Sequence, residues 1–227
     1  MFKKNIIGFG CSFTRNSVDE ENPNRLNKGD KPTRPLIQNH SWAHSQACVS
    51  HETSFIIELA EKLKVDSKNY AHGGSGVRSA IHKVIQYVDN NDTSNELIIL
   101  GISTFTRFDI IRPSFGLMGI SAKYPKLSNE EYAKYYDIKD ASVEITTLLK
   151  LLHVYLDYKG IEHIFINTFN YHHSTKEIIP TFIFPCGSEY WTDHIISYDK
   201  TAVERNHPNI SDHKLLGNLL FDKLNQD

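Results

Sequence analysis

Two short stretches far apart in the chain hold residues that could carry out acyl transfer together. Gly10-Cys11-Ser12-Phe13-Thr14 closes the first apolar run, and His207-Pro208-Asn209 precedes the final helical pattern of the sequence. A serine hydroxyl is a weak nucleophile until a base removes its proton, and an imidazole Nε2 titrates in the right range to do so. Ser12 is therefore the candidate nucleophile and His207 the candidate general base. Pro208 denies the histidine a continuing helix and fixes the local backbone, which suits a ring held in a loop. Between them, His72-Gly73-Gly74-Ser75-Gly76 is a turn whose backbone can approach a substrate without obstruction by side chains.

Elements that would position these groups follow from the hydrophobic period. Asn5 to Gly10 reads as a short buried strand, and Phe55, Ile56, Leu59, Ala60 and Leu63 recur at helical spacing in Ser54 to Lys64. Lys68 to Ala71 is a weak second strand before the glycine turn, after which Ile81, Val84, Ile85 and Val88 mark an amphipathic helix. Glu96 to Ile102 is apolar on successive residues, as a central strand covered on both faces would be. Asp140 to Tyr158 is helical through Val143, Ile145, Leu148, Leu149, Leu152 and Leu156, with Lys159-Gly160 as its stop, and Ile161 to Phe169 is a further strand. Ser211 to Leu224 gathers Leu215, Leu216, Leu219, Leu220 and Leu224 on one helical face, with Ser211 as its cap.

The β-α alternation predicts an α/β domain: a mostly parallel sheet with helices on both faces and right-handed crossovers. Two stretches break the rhythm. Residues 15–50 and 112–139 exceed the usual connection of about 2–6 residues and are expected to be long loops, the second richer in aromatics. Both begin where strands end. In an open parallel sheet that rim is where ligands bind, and Ser12, Gly74 and Ser103 would all emerge there.

Four blocks, in order, resemble those of the SGNH (GDSL-type) hydrolases. Gly10-Cys11-Ser12-Phe13-Thr14 resembles the Gly-Asp-Ser-x-Thr block, with Cys11 in place of aspartate, and Asn69 to Gly76 resembles the second block. Gly101-Ile102-Ser103-Thr104 stands where that family has Gly-x-Asn-Asp, without the asparagine, and Glu204-Arg205-Asn206-His207 resembles Asp-x-x-His. The resemblance implies one three-layer α/β/α domain over residues 1–227, with a five-stranded, flavodoxin-like sheet. It implies an oxyanion hole built from the N–H groups of Ser12 and Gly74. Ser103 is the expected third donor, since a hydroxyl could replace the missing asparagine, with Thr104 and Arg107 as further candidates. Glu204 would accept the His207 Nδ1 hydrogen and complete a triad; Asp199 or a backbone carbonyl could do the same. His72, Thr104 and Arg107 are the candidate substrate contacts.

Composition narrows the partners. The chain has 227 residues and a formal charge of -2, with no Lys/Arg cluster of the kind that neutralises phosphates, so nucleic acid is not expected. Three cysteines at unrelated spacing write neither a disulfide framework nor a zinc motif, and suit a reducing compartment. Two lysines precede an apolar run too short for a signal peptide, and no stretch reaches membrane-span length. A non-secreted, cytoplasmic protein is the expectation. Phe13 spoils a GxGxxG reading of Gly8 onwards, Walker A lysine is absent, and Thr14 replaces the last glycine of a GxSxG elbow. His172-His173, or His207 with Asp212 and His213, lack recognisable metal-ligand spacing, so neither metal nor cofactor is expected. Three functions fit: an esterase acting on a small-molecule or O-acyl carbohydrate ester, an acyltransferase on the same site, or a non-catalytic carbohydrate- or protein-binding module.

Overall fold

The computed structural model describes residues 4–11, 54–71, 75–103, 107–112, 116–121, 138–168, 179–185, 187, 190–191 and 210–226. In chain order the elements are β1 (Asn5–Phe9), α1 (Phe55–Leu63), β2 (Ser67–Asn69), α2 (Val77–Asn90), β3 (Glu96–Ile102), β4 (Arg107–Arg112), β5 (Gly116–Ser121), α3 (Ile138–Tyr158), β6 (Glu162–Asn167) and α4 (Ile210–Gln226).

Strands β2, β1, β3 and β6 lie side by side in that order, all parallel. Successive residues of β3 point to opposite faces, and both faces are covered. Leu97 and Ile99 join Ile6, Phe55, Ile56, Leu59, Leu216 and Leu220 in one apolar layer under α1 and α4. Ile98, Leu100 and Ile102 join Ile7, Phe9, Val84, Leu149 and Phe165 in the other, under α2 and α3. The three-layer α/β/α arrangement expected from the alternation is therefore present. Among the described residues the sheet has four strands, one fewer than expected. Beyond β6, two isolated parallel bridges, Phe165 with Thr181 and Asn167 with Tyr190, and a hydrogen bond from Phe182 N to Phe165 O (2.8 Å) stand where a fifth would lie.

Close packing explains two glycines. A Cβ on Gly8 would sit 2.7 Å from Ile56 Cγ1, so α1 rests directly on the backbone of β1. Gly217 does the same between helices: its absent Cβ would lie 2.8 Å from Glu58 Cβ.

Some expectations need correction. The stretch 112–139 is not one loop: β4 and β5 form an antiparallel hairpin, pairing Arg107 with Ser121 and Arg112 with Gly116, and α3 already begins at Ile138. The alternating pattern here was masked by Pro113 and by glycines within β5. Helix α4 starts at Ile210, so Ser211 lies in its first turn and does not cap it. Val143 is 68% exposed, because the buried stripe of α3 runs through Ala141, Ile145, Leu149, Leu152 and Leu156, and a residue two places from 141 and 145 falls on the opposite side. Leu215 is likewise 41% exposed, flanking the buried Leu216 and Leu220.

Candidate active site

The chain crosses from β1 through α1 to β2 on one side, then through α2 to β3 on the other. The strand order thus reverses at β1, and the crevice between the carboxyl ends of β1 and β3 is the switch point at which open α/β sheets bind ligands. Gly10 leaves β1 with φ of 144°, a conformation that side-chain-bearing residues rarely adopt. Cys11 turns back into the core, fully buried beside Ile6, Phe55 and Ile56. It packs as a small hydrophobe in the place where the resemblance would put a carboxylate.

Hydrogen bonds tie the flanks of the first three blocks to one another. Asn69, at the end of β2, donates from Nδ2 to Ser54 Oγ (3.1 Å) and accepts at Oδ1 from Ala71 N–H (3.0 Å). Tyr70 N–H donates to Gly8 O at 2.7 Å, which joins the approach of the glycine turn to β1. On the far side of that turn, Ser75 O accepts the buried Ser103 hydroxyl (3.2 Å). At the next strand end, Ile102 O accepts both the N–H (3.1 Å) and the hydroxyl of Thr168.

The start of α4 is fastened to the same region. His213 is fully buried, and its Nδ1 accepts Phe55 N–H at 3.2 Å, satisfying a first-turn donor of α1 across 158 residues. Its ring stacks on Phe55 (5.9 Å, 10°) and meets Trp191 edge-on (5.1 Å).

Ser12, His72, Gly74, Thr104, Glu204 and His207 lie outside the described residues. Of the expected site residues, Ser103 is described in full and Arg107 as the first backbone position of β4. The Ser103 hydroxyl hydrogen goes to Ser75 O, so this side chain braces the third block against the second. Asn69, Ser54 and Thr168 were missed as positioning residues. Asn69 had a signal, since it opens the second block; Ser54 and Thr168 had none, because their partners are remote in sequence.

No protein-family model matches this sequence, and no curated protein matches it. In structure the chain is similar to a catalytic mutant of an acetylxylan esterase from Geobacillus stearothermophilus, with a TM-score of 0.54 at 12% identity over 97% of this chain and 94% of that one. It is also similar to an acetyl xylan esterase from the rumen bacterium Butyrivibrio proteoclasticus, with a TM-score of 0.51 at 12% identity over 100% of this chain and 64% of the esterase. A lipolytic protein of the G-D-S-L family from Desulfitobacterium hafniense aligns at 10% identity over 97% of this chain and 99% of that one, with a TM-score of 0.44. The chain shares the α/β fold of these acetylxylan esterases. Identity this low carries architecture only, because one fold hosts many activities. No helix among the described residues is long and apolar enough to cross a membrane.

Proposed function

We propose that the chain is a serine esterase acting on an ester or O-acyl bond, with an O-acetylated carbohydrate as the favoured substrate class. The observation that carries this reading is the switch point: β1 ends between β2 and β3, and Ser12 follows directly on Gly10-Cys11 in the sequence. In this reading Ser12 Oγ attacks the carbonyl as His207 Nε2 takes its proton. Glu204 holds the imidazole by its other nitrogen, and the N–H groups of Ser12 and Gly74 receive the developing oxyanion. Ser103 holds Ser75, the residue that follows Gly74 in the sequence. The imidazolium returns its proton to the leaving alcohol, and water, activated by His207, then releases the acid. His72, Thr104 and Arg107 would line the substrate mouth. An acyltransferase differs only in that a second alcohol replaces this water.

A non-catalytic carbohydrate-binding module is the second reading. It is favoured by two observations: Cys11 is buried and apolar in character where the related block has an acid, and the Ser103 hydroxyl is already engaged. Labelling by a fluorophosphonate probe separates the readings. The esterase reading expects the wild-type chain to label and Ser12→Ala and His207→Ala to lose labelling; an unlabelled wild type beside a labelled control esterase supports the binding module. Acetate release with and without an added sugar acceptor then distinguishes hydrolysis from transfer.

A further inference from the structure

The opposite rim of the sheet holds a cluster that the esterase reading does not use. His153 and Asp157 lie one turn apart near the end of α3, and His163 is the second residue of β6, across the Lys159–Gly160 turn. The side chain of His163 is 5% exposed and that of His153 22%, whereas Asp157 opens to solvent.

Hydrogen positions follow from the partners. His163 Nδ1 is 2.9 Å from Ile161 O. A carbonyl only accepts, so Nδ1 bears the hydrogen and Nε2 presents a lone pair. That lone pair faces His153 Nδ1 at 2.7 Å, which makes His153 Nδ1 the donor. A neutral His153 ring then has its own lone pair at Nε2, and this atom faces Asp157 Oδ2 at 3.4 Å. Lone pair opposes carboxylate there, and the arrangement needs a positive charge between them. Asp157 Oδ1 also lies 3.9 Å from His163 Nε2, so the carboxylate addresses both rings.

We infer that His153, Asp157 and His163 form a binding site for a divalent transition ion of the zinc class. One ligand atom from each residue falls in a group spanning no more than 4.8 Å. Tetrahedral zinc with ligand bonds of about 2.0–2.1 Å separates neighbouring ligands by roughly 3.3 Å, near the observed 3.4 Å. His153 offers the ion one nitrogen, Nε2, so its 2.7 Å bond from Nδ1 to His163 Nε2 gives way as the rings turn toward the ion, while His163 Nε2 already lies 3.9 Å from the carboxylate. Two imidazoles and one carboxylate suit zinc better than magnesium or calcium, which favour all-oxygen sites. The bond from His163 to Ile161 O is the outer contact that orients a metal-ligating histidine. The backbone between the ligands is stiff: Gly160 has φ of 67°, Gly160 N–H donates to Asp157 O (2.9 Å), and Ile161 N–H donates to Leu156 O (2.9 Å). Asp157 leaves the fourth position accessible from solvent. A lone proton would join only His153 and Asp157; the metal also accounts for the approach of the carboxylate to His163.

The test uses the full chain, stripped with a chelator and titrated with Co²⁺ and then Zn²⁺. Expected are the visible absorption bands of four-coordinate Co²⁺ at one equivalent, their loss as Zn²⁺ displaces the cobalt, and a Tm raised on the order of 5–10 °C at a hundredfold excess over Kd. His153→Gln and Asp157→Asn, at partly open positions, should each weaken zinc binding at least tenfold while far-ultraviolet circular dichroism stays unchanged; His163→Gln should do the same where it folds. Labelling of Ser12 should be indifferent to all three substitutions. Absence of uptake by the folded wild-type chain overturns the inference, as does uptake retained by both His153→Gln and Asp157→Asn, which would assign the metal to other histidines.

Discussion

Substituting Gly8 by alanine tests whether β1 is placed by direct contact with α1. The added Cβ would meet Ile56 Cγ1 at 2.7 Å and Cδ1 at 2.9 Å, and would approach Asn69 Oδ1 at 3.2 Å. None of these atoms moves freely, since Ile56 is fully buried and Asn69 is held at both ends. Overpacking of this kind costs about 1–3 kcal/mol. Replacing a strand glycine by alanine returns roughly 0.5–1 kcal/mol of backbone entropy. The balance is a net loss of about 1–2 kcal/mol, or a fall in Tm of roughly 3–6 °C for a domain of this length. Ile56→Ala alone should cost about 2–5 kcal/mol, because it empties a closed site. In the double variant the new methyl group enters the space vacated by Cγ1 and Cδ1. The combined loss should therefore be smaller than the sum of the single losses by about 1–2 kcal/mol, which is the coupling expected of residues in contact. Urea unfolding of the four chains, followed by circular dichroism with a common slope, measures this directly. Additivity within about 0.5 kcal/mol, or a Gly8→Ala variant as stable as wild type, refutes the contact.

Other expectations follow from single contacts. Gly217→Ala should destabilise by about 1–2 kcal/mol despite gaining helix propensity, because its Cβ would lie 2.8 Å from Glu58 Cβ; a gain in Tm would show that α1 and α4 pack less closely. Asn69→Ala frees Ala71 N–H and Ser54 Oγ, and should cost about 1–3 kcal/mol in urea unfolding and lower kcat more than it raises KM in ester hydrolysis. Tyr155 donates to Asp89 Oδ1 at 2.6 Å, and burial, then that bond, pushes its phenol up to about 12. Because the folded state holds this proton more tightly, the linked stability is complete below about pH 10, the unfolded value, and is lost as pH rises through about 12. Asp89→Asn should lower the tyrosinate transition seen in ultraviolet difference absorbance, and an unchanged transition counts against the pairing.

Much of the architecture is legible because it is periodic. The runs in β1 and β3 and the helical spacing in α1 and α2 encode burial locally, and so yield layer and order. The β4–β5 hairpin escaped because its alternation is broken by glycines and a proline. The exposed Val143 and Leu215 show the limit of counting apolar residues: which stripe is buried depends on the neighbour, which the helix does not encode alone. At the rim, block order announces the place of Ser103 at the end of β3, while Ser12 and Gly74 lie outside the described residues. The tie from Ser103 to Ser75, and the one from Asn69 to Ser54, are tertiary facts with no local signature. The His153, Asp157 and His163 group was invisible for the same reason. Its His-x-x-x-Asp pair is ordinary on a helix, and the third member lies on the strand that follows.

The bond between His213 and Phe55 has a consequence for the order in which the molecule can be made. Helix α1 lacks a side-chain cap from its own N-cap residue, Ser54, and takes one from α4 instead. On a ribosome adding about 5–20 residues per second, β1, α1 and β2 emerge well before the imidazole that completes them. The first turn of α1 would therefore stay uncapped until α4 is translated and docks. A nascent chain shorter than residue 213 should lack the bond that completes the start of α1.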